Sequence, residues 1–217
     1  PHLGSKCPTT IGARNHIFPF SPIGESAQDL KYKGEATTLA IGNDNVSRES
    51  VTIQRGTIQD RGDTSIGNSN LIMCYVHIGH DSVVKNHTIL VNNTALAGHV
   101  VVDDWAILSG YTLVHQFCKI GAHSFSGMGT AIGKDVPAYV TVSGSPAEAR
   151  TINSEGLRRR GFSDGTLADL RRAFKLVYRQ GLTLDVAIER LGEMAVETPE
   201  IEPLLESLKS SERGIVR

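Results

Sequence analysis

Eight histidines are spread through the 217 residues, five of them between positions 77 and 115, and His77, His80, His99 and His115 among these are spaced to fall on or beside one face. His80 is followed directly by Asp81. A histidine beside an aspartate suits general-base removal of a hydroxyl proton, because imidazole titrates near neutrality while a carboxylate holds its tautomer and stabilises the cation. The intervals around this pair are regular: His80, Gly98 and Gln116 are eighteen residues apart, and so are Asp81, His99 and Phe117. A chain that stacks residues eighteen apart would gather two imidazoles, a carboxylate, an amide and a glycine within a few ångströms. Glycine lets a backbone N–H approach a developing oxyanion with no Cβ in the way. Gly98 is therefore the candidate oxyanion donor, with His80 as base and Asp81 as its orienting group. A lone histidine is more often a surface or interface residue, but four on one face point to a site. His2, His16, His87 and His123 keep the blander reading, the last two as packing around Trp105.

The elements that must position these groups are written as a six-residue period. From Ile66, steps of six reach Ile72, Ile78, Val84, Leu90, Leu96, Val102, Leu108, Val114, Ile120, Ser126 and Ile132, and only Ser126 is not aliphatic. Four residues later runs a column of small or β-branched residues, from Ser82, Thr88 and Thr94 through Cys118 to Val136. Both columns must face inward. The same phase opens the chain at Ile11, Ile17 and Ile23, and it reappears, shifted, at Ile41 and Ile53. This is the pattern of a parallel β-helix, in which one short strand and a corner make a repeat that buries its apolar residue only by stacking on its neighbours. An antiparallel sandwich of period two would not hold one phase over eleven steps.

A polar stretch near 25–40 departs from the period and reads as a projecting loop, a favoured place for binding residues on a rigid solenoid. Beyond Glu155 the pattern turns helical. Leu167, Leu170, Ala173, Phe174, Val177 and Tyr178 recur at three and four after the caps Ser163 and Asp164, with Gly181 as a stop. Further helices are expected over 184–194 and 201–208. The division is a β-helix over 1–149 and a small helical domain over 150–217.

Composition narrows the remaining classes. A formal charge of −1 supplies no general attraction to nucleic acid. Cys7, Cys74 and Cys118 are odd in number and far apart, which excludes a disulfide framework and fits a reducing, cytoplasmic setting. No run approaches the roughly eighteen apolar residues of a membrane span. His77-x-x-His80 with a further histidine could hold zinc, as in trimeric β-helix carbonic anhydrases. Gln116, the loop and a basic C-terminal segment favour a large organic substrate instead. A non-enzymatic solenoid would show flat threonine faces and no clustered histidines.

The aliphatic-glycine hexapeptide resembles the left-handed parallel β-helix family, in which three hexapeptides complete a triangular coil of eighteen residues. More specifically, Asn70-Leu71-Ile72-Met73, His77-Ile78-Gly79-His80-Asp81, Asn92-Asn93-Thr94-Ala95-Leu96-Ala97-Gly98-His99-Val100, Val114-His115-Gln116-Phe117-Cys118 and Asn153-Ser154-Glu155-Gly156-Leu157-Arg158-Arg159-Arg160-Gly161-Phe162 resemble the UDP-N-acetylglucosamine 3-O-acyltransferases, as does Gln28-Asp29-Leu30-Lys31-Tyr32-Lys33-Gly34-Glu35. The resemblance implies transfer of a 3-hydroxyacyl group, 3-hydroxydecanoyl where Met128 limits the chain, from acyl carrier protein to the sugar 3-hydroxyl. That is the first step of lipid A synthesis.

By motif position the resemblance implies His80 as general base, Asp81 as its orienter and the Gly98 amide as oxyanion donor. It makes His77, His99, His115 and Gln116 substrate contacts and Gln28 and Asp29 sugar contacts. Asn153, Glu155, Arg159 and Arg160 would hold the nucleotide and diphosphate or the pantetheine arm. Met128 becomes the residue that limits the acyl chain to about ten carbons. The resemblance further implies a homotrimer with sites between subunits, no metal and no cofactor beyond the carrier's phosphopantetheine. The acidic carrier would dock on Arg171, Arg172, Lys175 and Arg179. In two places the chain departs from the family: it opens at Pro1 in mid-repeat, so that further N-terminal coils starting from a methionine are expected to be missing, and residues 143–146 replace an expected Gly-Asn. The sister N-acyltransferase of the pathway is the nearest rival. It normally carries a separate uridine-binding domain, and the loop and the Asn153 motif favour the O-acyltransferase.

Overall fold

The computed structural model of the protein describes residues 2–3 and 8–217; Cys7 lies outside the described residues. Strands of two to five residues form three sheets, the walls of a triangular prism. Face one includes His77–Ile78, Ala95–Leu96 and Leu113–Val114. Face two includes Val83–Val84, Val101–Val102 and Lys119–Ile120. Face three includes Ile89–Leu90, Ile107–Leu108 and Phe125–Ser126. Pairing is parallel with a step of eighteen residues, as in His77 on Ala95, Val83 on Val101 and Ile89 on Ile107. The two inward columns make the core: Ile78, Leu90 and Leu96 are fully buried, and so are Thr88, Thr94, Thr112 and Cys118. Ser126, the exception among the aliphatics, is also fully buried. Its hydroxyl lies 2.7 Å from that of Thr112 and accepts from the Ser109 N–H at 3.1 Å, so the polar group is satisfied where it is buried.

Two insertions interrupt the stack. Ile23 pairs with Ile53, thirty residues on, so the loop at 26–37 adds twelve residues to a coil of eighteen. Ile53 pairs with Ile78, twenty-five on, so a second loop at 55–62 adds seven. Twelve residues are two whole repeats and leave the phase unchanged, whereas seven displace it by one. The shift expected at Ile41 is therefore corrected: the phase of Ile11, Ile17 and Ile23 runs unbroken through Ile41 and Ile53, and it slips only before Ile66.

The corners have a conformation of their own. Asp81, His87, Asn93, His99, Trp105, Tyr111, Phe117 and His123 recur every six residues with φ between 56° and 65°. This left-handed region is uncommon for residues other than glycine, and Asn, Asp and His enter it most readily. Asp81, His99 and Phe117 occupy the corner between faces one and two. His87, Trp105 and His123 occupy that between faces two and three, and Tyr75, Asn93 and Tyr111 that between faces three and one.

On face three the strand Val140–Ser143 pairs antiparallel with Glu148–Ile152; of residues 143–146, Ser143 ends the first strand and the other three lie in the turn at 144–147. Four α-helices follow: α1 (Ser154–Arg159), α2 (Asp164–Tyr178), α3 (Leu184–Glu197) and α4 (Glu202–Lys209). Ser163 caps α2 by accepting from the Thr166 N–H, as its type and place require. The sequence reading has three helices here. The additional one, α1, is a short element started by Asn153, whose side chain accepts from the Gly156 N–H. No described helix is long and apolar enough to cross a membrane.

Candidate active site

At the corner between faces one and two, stacking converts the eighteen-residue intervals into contacts. The His80 Nδ1 lies 2.9 Å from Asp81 Oδ2, and the Asp81 side chain is wholly shielded from solvent. A buried carboxylate needs partners, and Thr57 of the second loop supplies them. Its N–H lies 3.0 Å from both carboxylate oxygens and its hydroxyl donates to Oδ2 at 2.7 Å. Fixed in this way, Asp81 accepts from the His80 Nδ1–H and leaves Nε2 as the basic nitrogen.

One coil further on, Gly98 faces that nitrogen: a Cβ built on it would lie 2.7 Å from His80 Nε2. The Gly98 carbonyl accepts from Phe117 N–H at 3.2 Å, and no described residue accepts from the Gly98 N–H. The His99 ring meets His80 edge-on, with centroids 5.0 Å apart, and stacks on Phe117 at 4.3 Å. His99 Nδ1 is 2.7 Å from the carboxylate of Asp60, also of the second loop. A groove of about 1050 Å³ opens over these groups, and Gln28, Asp29, His80, His99 and Gln116 are among the residues that line it.

Gln28 and Asp29 reach the groove because the first loop is tied down. Gln54, buried in face one, accepts from the Gln28 N–H at 3.2 Å. The buried Arg55 donates to the Tyr32 hydroxyl at 2.7 Å, to Ser26 Oγ and to the Gly24 carbonyl. Asp29 in turn accepts from the Lys31 N–H. Sequence reasoning missed the second loop with Thr57 and Asp60. Its signal was the thirteen-residue step from Ile53 to Ile66, where twelve would keep the phase.

The other expected site residues lie elsewhere. His77 stands on face one, its Nδ1 2.7 Å from Thr52 Oγ1, with its pKa lowered by burial and by the neighbouring His80. His115 is exposed and donates to the Gln116 carbonyl. Asn153 and Arg160 belong to the corner between faces two and three. There Asn153 Nδ2 donates to the His123 carbonyl at 3.0 Å, and Arg160 donates to the Trp105 carbonyl while its guanidinium lies 5.2 Å from the Trp105 ring centre. His87 and His123 do stack around Trp105, with centroids at 4.1 and 6.3 Å. Burial, and secondarily Arg160, push the His123 pKa down to about 4. Glu155 pairs with Arg159 one helical turn away at 3.1 Å. Met128 is 80% exposed, beside Gly129 at the third corner.

The donor set fits poorly to zinc. His80, Asp81 and His99 form the only metal-like group among the described residues, with one ligand atom of each within 4.8 Å of the others. Both Asp81 oxygens are occupied by Thr57, and His99 Nδ1 by Asp60. Two free imidazole nitrogens remain, fewer than the three protein ligands of a catalytic zinc site. Cys118, buried in the inward column, is no nucleophile, because burial pushes its thiol up to about 11.

Known proteins resemble this chain in sequence and fold. Residues 135–216 match the model of the second domain of the UDP-N-acetylglucosamine O-acyltransferases. An acyl-(acyl-carrier-protein)–UDP-N-acetylglucosamine O-acyltransferase of Ectopseudomonas mendocina is 68% identical over 203 residues, covering 94% of this chain and 79% of its own. Among solved structures, the UDP-N-acetylglucosamine O-acyltransferase of Moraxella catarrhalis superposes with a TM-score of 0.95 at 43% identity, over 99% of this chain and 92% of its own. That of Francisella novicida gives 0.93 at 38% identity, over 100% and 90%. The coil is accordingly the left-handed parallel β-helix.

Proposed function

Because this chain belongs to the acyl-(acyl-carrier-protein)–UDP-N-acetylglucosamine O-acyltransferase family, and is thus an acyltransferase, we propose that it moves an (R)-3-hydroxyacyl group from acyl carrier protein to the 3-hydroxyl of UDP-N-acetylglucosamine, the first step of lipid A synthesis in the cytoplasm. The observation that carries the mechanism is the His80 imidazole held through Nδ1 by a buried Asp81, with Nε2 turned toward Gly98. His80 Nε2 takes the proton of the sugar hydroxyl as its oxygen attacks the thioester carbonyl. The resulting oxyanion is met by the Gly98 N–H. The tetrahedral intermediate then collapses, and the pantetheine thiolate leaves with the proton returned by His80. No covalent enzyme intermediate forms and no cofactor of the protein's own is used, since the donor arrives on the carrier's phosphopantetheine.

The site is proposed to be shared between subunits of a trimer. Within one chain the base and the sugar-facing loop occupy one corner of the prism, Asn153 and Arg160 a second, and Met128 the third. A rigid prism does not bring its own corners together, whereas three copies about an axis parallel to the coils do so without bending any of them. Gln28 and Asp29 then meet the sugar and His77, His99, His115 and Gln116 line its approach. Asn153, Glu155, Arg159 and Arg160 hold the nucleotide and diphosphate or the pantetheine arm, for which guanidinium forks are suited.

The deciding experiment incubates the protein with UDP-N-acetylglucosamine and 3-hydroxyacyl carrier proteins of graded chain length. Product is expected with the wild type, and His80→Ala should lose roughly 10²- to 10⁴-fold in rate with its fold intact. A His80→Ala protein of near-full activity would remove His80 from the role of base.

A further inference from the structure

The mechanism uses one histidine–aspartate pair, but the groove holds two. His99 Nδ1 and Asp60 Oδ2 are 2.7 Å apart, one coil above His80 and Asp81. The two carboxylates differ in origin. Asp81 is the corner residue next to its histidine, whereas Asp60 comes from the 55–62 insertion, thirty-nine residues from His99 in the chain. That insertion is anchored at Thr57, whose amide and hydroxyl are bonded to Asp81. The His99 side chain is 12% exposed, and stacking on Phe117 together with the edge contact to His80 sets the plane of its ring. Asp60 itself remains 42% exposed and lines the same groove.

We infer that Asp60 is a positioning residue for His99, fixing the tautomer in which Nδ1 carries the proton and Nε2 is presented to the groove as a hydrogen-bond acceptor. An ionised carboxylate only accepts, so the bond requires a proton on Nδ1. The neutral ring then has one lone pair, on Nε2, and it selects a donor: a hydroxyl or amide N–H of the sugar nucleotide. A seven-residue insertion thereby supports both pairs, Thr57 holding the carboxylate behind the base and Asp60 holding the ring that receives the acceptor substrate. The other charged groups on this side are His80 and Asp81 from the preceding coil and Asp29, Lys31, Lys119 and Glu212 at the groove wall. None of these side chains is hydrogen-bonded to the His99 ring; the His80 backbone carbonyl accepts from the His99 N–H at 2.9 Å.

The inference rests on the acyltransferase reading for its substrate, but its first test does not. In the full-length protein labelled with ¹⁵N-histidine, the neutral His99 ring is expected to show its proton on Nδ1. In Asp60→Ala the proton should shift toward Nε2, and KM for UDP-N-acetylglucosamine should rise about tenfold, the scale of one lost hydrogen bond. kcat should change far less, because the base and its own aspartate are untouched. Asp60→Asn, whose Oδ1 can still accept, should keep the Nδ1 proton and most of the affinity, and it decides the matter should the alanine variant fold poorly. A proton found on Nε2 in the wild type, or ring shifts and KM unmoved by Asp60→Ala, would overturn the role. Should the wild type transfer no acyl group, the substrate reading fails while the ring-nitrogen shifts still decide what Asp60 does.

Discussion

Gly98 lies so close against the His80 imidazole that a methyl group built on its Cα would come within 2.6 Å of Cε1. Its φ is not in the left-handed region, so the requirement for glycine here is one of space rather than of backbone conformation. Gly98→Ala should therefore fold and melt close to the wild type. Its imidazole must turn aside and loosen the 2.9 Å bond to Asp81. Misplacing a catalytic group by about 1 Å costs on the order of a hundredfold, and kcat of the purified variant should fall by about that much. An alanine variant with unimpaired kcat would show that His80 does not act from this position.

The basic face of α2 gives the second prediction. Arg171, Lys175 and Arg179 line a groove with Arg150, whereas Arg172 is paired with Asp169. An acidic carrier should dock on these three cations, which form no ion pair among the described residues. Lys175→Glu should raise KM for the acyl carrier about fivefold at low salt, the scale of a ~1 kcal/mol exposed pair. Raising the ionic strength should shrink that difference. A carrier KM indifferent to salt in both proteins would count against this docking face.

Met128 sets the third. It lies forty-eight residues beyond His80, about 2.7 coils, which at ~4.8 Å per coil is roughly 13 Å further along the axis. A three-fold axis parallel to the coils preserves that height. At about 1.25 Å per bond, ten carbons reach about 11 Å and fourteen about 16 Å, so the longer chain meets the methionine. Met128→Gly should admit fourteen-carbon donors in the graded-length assay, and an unchanged chain-length profile would refute the ruler.

A fourth prediction concerns pH. The His123 pKa is lowered from 6.5 to about 4, by burial first and by Arg160 second. A base with a depressed folded pKa is protonated in the unfolded chain first, so its contribution to stability is present above pH 6.5 and is lost as pH falls toward 4. The melting temperature should drop across that window. His123→Phe, which keeps a ring between Trp105 and Tyr139, should flatten the drop. An equally steep fall in that variant would place the acid sensitivity in other groups.

Much was legible in the sequence because a β-helix is nearly one-dimensional. Each repeat touches its neighbours at a constant interval, so inward columns, corners and the stacking of His80, Gly98 and Gln116 follow from counting. The α2 cap at Ser163 was equally local. The sequence also carried the first insertion, since a mostly polar stretch without the period is plain to read. It concealed the second. The loop at 55–62, which adds seven residues to its coil, looks like one more repeat with a slipped phase, and nothing in its residue types announces that Thr57 closes on Asp81 or that Asp60 reaches His99. Those bonds join residues twenty-four and thirty-nine apart, at spacings unrelated to the coil. Tertiary structure alone decided them, as it decided that Arg160 would join the Trp105 stack. A periodic pattern dictates what each coil does to the next. Where an inserted loop folds back, and which corner faces which partner, depends on packing in three dimensions that no interval along the chain encodes.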